Sequence, residues 1–131
     1  MKMVKKIVST VVILSLLSVV GISAFARDNA TGSINGCPVG GVSDVIDQCS
    51  YSYASGGFGS ASVQATFVYV NYNWDRQPSV YKQESCPAQS SPNAYIRFNL
   101  PSNGYKLVRV SGNHSVSVNN GGWSGSTVDS L

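Results

Sequence analysis

The segment Tyr69-Val70-Asn71-Tyr72-Asn73-Trp74-Asp75-Arg76 sets aromatic rings among amide, carboxylate and guanidinium side chains. Ring faces stack on the apolar C–H faces of sugars, and the polar neighbours can hydrogen-bond hydroxyls. Tyr, Asn, Ser and Gly also make adaptable protein-binding surfaces. Tyr72, Trp74, Asp75 and Arg76 are therefore candidate ligand-binding residues. Trp123 joins them, because it follows the Gly-rich turn Asn119-Asn120-Gly121-Gly122. The competing role for both indoles is core packing, since large aromatics dominate cores and favour strands.

Catalysis has thinner support. His114 is the sole imidazole, titrating near pH 6.5 when unperturbed. A hydrolase would have to be built around it, but no G-x-S-x-G elbow accompanies it. A glycosidase needs two carboxylates, and Asp75 and Glu84 are the only mid-chain acids. Glu84, His114 and Arg97 supply ribonuclease residue types without a supporting spacing. No C-x-x-C pair or EF-hand loop is present, so neither metal nor cofactor is expected. The chain reads as a non-enzyme.

Cys37, Cys49 and Cys86 permit at most one intrachain bridge. Cys49–Cys86 is favoured, because both lie at ends of expected elements. Cys37, in a Gly/Pro-rich stretch, is left free or able to pair with a second copy.

An oxidising destination is expected from residues 1–26. Lys2, Lys5 and Lys6 precede an apolar run, and Ala24-Phe25-Ala26 matches a small-residue cleavage site. This is the pattern of a secretory signal peptide, implying a secreted or periplasmic protein, with bacterial export suggested by the short Lys-rich leader. Cleavage removes three of the nine Lys and Arg residues, leaving six against six acids. The exported part is thus neutral. It offers no basic footprint for nucleic acid, and no stable membrane insertion is expected once the signal is gone.

Residues 27–131 have the length of a single domain. Arg27 to Gly41 is polar and Gly-rich, and reads as a flexible arm. Val42, Val45, Ile46 and Cys49 fall at helical spacing, which predicts one short helix over 44–48. Strands are predicted from Ser50 onward. In the run Ala61–Trp74 the apolar phase switches near Tyr69, as in a central strand or at a β-bulge. A strand over 79–84 and a Pro-bearing loop over 85–93 follow. Four strands joined by turns at 101–104, 111–113 and 119–122 then form a C-terminal β-meander. The expected fold is all-β, an antiparallel β-sandwich or small barrel. The expected function is recognition of a cell-surface glycan or protein. The alternative is a small secreted toxin or a hydrolase inhibitor.

Overall fold

A computed structural model describes residues 27–131. The expected signal peptide lies outside the described residues. Eight strands run in chain order: β1 (Asp28–Ile34), β2 (Cys37–Asp44), β3 (Cys49–Ala54), β4 (Phe58–Asn71), β5 (Val80–Ser90), β6 (Asn93–Arg97), β7 (Tyr105–Val118) and β8 (Gly121–Ser130). They form two antiparallel sheets, ordered β1-β2-β3-β6 and β5-β4-β7-β8. The sheets face each other as a sandwich, not a closed barrel. β1 lies over β8, β2 over β7 and β8, β3 over β4 and β7, and β6 over β4 and β5.

Alternation along the strands supplies the core. Val63, Ala65 and Phe67 of β4 point inward, with Val110, Val116 and Val118 of β7 beside them. Val39, Ala54, Ala94 and Ile96 meet them from the first sheet. β4 does not switch phase: Tyr69 still packs against the core like Phe67, and Val70 is buried outside that cluster. The β4–β7 register shifts between Val68 and Tyr69, where Val108 is the extra residue on β7. This bulge lets Leu107 and Val110, three positions apart, both reach the core.

Local expectations need correcting at several points. The supposed arm is β1 and most of β2, joined by Asn35-Gly36 with both residues at positive φ. That is the type I′ hairpin requirement, and the Asn-Gly pair meets it. No helix forms over 44–48. Asp44 Oδ1 instead accepts the Asp47 N–H, and Gln48 takes a positive φ, so the segment turns β2 into β3. The helical spacing of Val42 and Cys49 arises from strand residues sharing an outer face.

Pro87 does not end β5. It lies on an edge strand at a register shift opposite Ser60, where a missing N–H is tolerated. Ser111-Gly112-Asn113 is not a turn, because β7 runs straight through it. β6 belongs to the other sheet, so the C-terminal meander reduces to the β7–β8 hairpin.

The Cys49–Cys86 bridge is absent, and all three cysteines are free and buried. Cys86 and Cys37 point into the core between the sheets, whereas Cys49 lines a hollow on the outer face of the first sheet. A sheet layer separates Cys49 from Cys86, and a disulfide requires Cα atoms within about 7 Å. Cys37 is buried at the start of β2.

Candidate functional site

The β4–β5 loop is assembled around one side chain. Asn71 Oδ1 accepts the N–H groups of Asn73 and Asp75, each at 2.9 Å. Asn71 Nδ2 donates to Asp75 Oδ2 at 3.2 Å. The backbone closes the same circuit, with the Trp74 N–H donating to the Asn71 carbonyl at 2.9 Å. The loop then doubles back along β4, where Arg76 bridges to Val70 and the Gln77 N–H donates to the Tyr69 carbonyl.

This circuit holds Trp74 at φ +65°, in the left-handed region that disfavours a bulky side chain. Trp74 is 66% exposed, and Tyr72 beside it is 80% exposed. Opposite them stand the β6–β7 loop and the start of β7. Asn103, Gly104, Tyr105 and Lys106 complete a hollow of about 210 Å³ with Tyr72 and Trp74. Lys106 Nζ sits 5.3 Å from the Trp74 ring centroid, within cation–π range. A column of rings supports the site from the core: Phe67 stacks on Phe98 at 4.9 Å, Phe98 touches Tyr69, and Tyr69 meets Tyr105 edge-on.

Tyr72, Trp74, Asp75 and Arg76 thus belong to one loop but have different surroundings. Tyr72 and Trp74 project. The Asp75 carboxylate fastens the loop to Asn71, and Arg76 reaches Ser79 Oγ at 3.5 Å. Trp123 is elsewhere. It points inward from β8 and slides under β1, where Gly32 and Gly125 leave room for its ring. A Cβ at Gly125 would come within 2.7 Å of Trp123 Cζ2. Trp123 pairs with Val116, ten positions along β7 from Lys106, roughly 30 Å at the strand rise. The two tryptophans share no hollow. Nothing in the sequence marks Lys106, Tyr105 and Asn103, because only the β4–β7 pairing brings them beside Trp74.

His114 is occupied. It is 2% exposed between the sheets, with Nδ1 at 2.9 Å from Ser52 Oγ and Nε2 at 2.7 Å from Thr127 Oγ1. The hydroxyls assign the tautomer. Ser52 spends its proton on the Ser62 carbonyl at 2.7 Å, so it accepts from Nδ1–H. Nε2 then accepts from Thr127, and Thr127 accepts from Ser43 at 2.6 Å. Burial pushes the imidazole pKa down to about 4, so the ring is neutral at pH 7. Gly41 and Gly112 flank the ring closely, and a Cβ at Gly112 would lie 2.6 Å from Nε2.

A second aromatic surface covers the outer face of the first sheet. Tyr51 pairs with Tyr95 across β3 and β6, their rings 5.9 Å apart and tilted by 27°. Tyr53 lies 6.0 Å from Tyr51. Arg27 donates to the Tyr51 hydroxyl and ion-pairs with Asp44 and Asp47, each at 3.3 Å. Beside them is a hollow of about 400 Å³ walled by Arg27, Asp47, Tyr51, Tyr95 and Arg97, with Cys49 in its lining. Burial raises the Cys49 thiol pKa and also that of the Tyr95 hydroxyl. The Ser/Tyr alternation of residues 50–54 was the available signal for this face, since period two sends every Tyr to one side. Comparisons with protein families, curated proteins and solved structures find no match to the chain.

Proposed function

We propose that the chain is an exported recognition module that engages an extracellular glycan or protein surface through Trp74 and Tyr72. The observation that carries this reading is the presentation of Trp74. Packing a tryptophan away is strongly favourable, yet this one projects into solvent. A strained left-handed backbone adds a cost of about 1–3 kcal/mol. The fold recovers only the exposed Lys106 cation–π contact, about 0.5–1 kcal/mol, whereas a ligand gains a ring already fixed in position. Preorganisation of this kind raises affinity by lowering the ordering cost of binding. Lys106 and the Asn103 amide supply donors at the rim, where sugar hydroxyls or peptide carbonyls would lie.

The reading is tested with the purified protein on a glycan array and on immobilised cell-surface proteins, alongside Trp74→Ala. Binding that falls at least tenfold in the variant, with a shift in indole fluorescence on the wild type, is expected. Wild-type and Trp74→Ala proteins that behave alike on both surfaces would overturn it.

A further inference from the structure

We propose that the outer face of the first sheet is a separate binding site for a sugar that carries a carboxylate. Tyr51 stacks on Tyr95 and backs it on a rigid sheet, leaving Tyr95 47% exposed. Such a platform matches the flat apolar face of a pyranose. The charges around it are unequal in availability. All three nitrogens of the Arg27 guanidinium are engaged, by Asp44, Asp47 and Tyr51. Arg97 is exposed, and among the described residues its guanidinium has neither an acidic partner nor a side-chain hydrogen bond.

Arg97 stands on β6 two positions from Tyr95, on the same face and in the same hollow. A carboxylate held by the two-pronged donor face of Arg97 would set the attached ring against the exposed Tyr95, which Tyr51 supports from behind. Asp47, 61% exposed on the opposite wall, accepts ring hydroxyls. Arg27 and Arg97 against Asp47 leave the lining one positive charge in excess, with Asp44 paired behind Arg27, so one carboxylate per ring suits it better than a phosphate ester of nearly two charges. The site is distinct from the Trp74 hollow, which shares none of these residues.

The test titrates the intact protein with a galacturonic acid trimer, a neutral galactose trimer and poly-glutamate, following tyrosine ring resonances. Saturable binding of the acidic trimer is expected, at least tenfold tighter than the neutral one. Arg97→Gln should weaken it at least tenfold, Arg97→Lys should fall between, and Arg109→Gln, which removes the same charge from the other sheet, should leave it unchanged. Tyr95→Ala, checked by its melting temperature, should also weaken binding. Equal binding of both trimers, binding of poly-glutamate alone, or no saturable binding would each overturn the proposal. Loss of indole response with these tyrosine shifts intact would count against the Trp74 site only.

Discussion

At Trp74 the backbone adopts a conformation that glycine would accept without strain, yet the residue there is the bulkiest of all. Replacement separates the two roles of the position. Trp74→Gly should raise unfolding stability by about 1 kcal/mol in urea titration, because the backbone strain goes and little packing is lost. A loss of several kcal/mol would mean that the indole is a structural prop. Asn71 is the complementary case. Asn71→Ala removes three side-chain hydrogen bonds at an exposed loop, for a cost of about 1 kcal/mol, and should let Trp74 move, seen as lower fluorescence anisotropy. Gly41 shows the opposite intolerance. A methyl there meets the buried His114 ring, so Gly41→Ala should lose 2 kcal/mol or more, about the range for overpacking a core.

Hairpin turns carry the chain's most readable instructions. Asn35-Gly36 has the residue pair that a two-residue turn demands, and Gly36 sits at φ +81°. Gly36→Ala should cost about 1 kcal/mol, while Gly122→Ala, in open space without a positive φ, should be close to neutral. Denaturation midpoints of the two variants distinguish these outcomes. The same logic explains what could be read in advance. The Asn119-Asn120 turn and the alternation of Ala94, Ile96 and Phe98 are local signals, and the structure follows them. At Asn35-Gly36 the signal was present but masked by polar, Gly-rich composition. Small residues in β1 and β2 look like linker, yet they are small because Trp123 and His114 press against Gly32 and Gly41. Nothing local reveals that β6 joins the other sheet, or that the 101–104 loop ends beside Trp74. Those are long-range pairings, invisible to any window of neighbouring residues. Tyr72 and Trp74 were legible as candidates because a polar, aromatic loop follows a long strand. The tyrosine face was legible only in part: alternation puts Tyr51 and Tyr53 on one side of β3, but Tyr95 and Arg97 reach it from β6.

For the molecule as a whole, the chain from Ser43 through Thr127 and His114 to Ser52 ties the two sheets together with buried hydrogen bonds. It makes stability depend on acidity. In the folded protein His114 gains its proton near pH 4, and in the unfolded chain near 6.5. Between those values the unfolded state holds the extra proton, so stability is full above the upper value and falls as pH drops toward the lower one. The gap corresponds to about 3 kcal/mol, read as a declining urea midpoint from pH 7 to 4. Asp129 acts in the opposite sense. Burial raises its carboxyl pKa, so the native state takes up that proton first and part of the loss is recovered at the acidic end. The three sequestered thiols, finally, turn the fold into its own stopwatch. A maleimide cannot reach them until something opens, and they sit in different layers: Cys49 beneath the tyrosine pavement, Cys37 and Cys86 in the oily interior. Alkylation of Cys49 ahead of the other two would time the fraying of one outer surface, and simultaneous alkylation would time the parting of the whole sandwich.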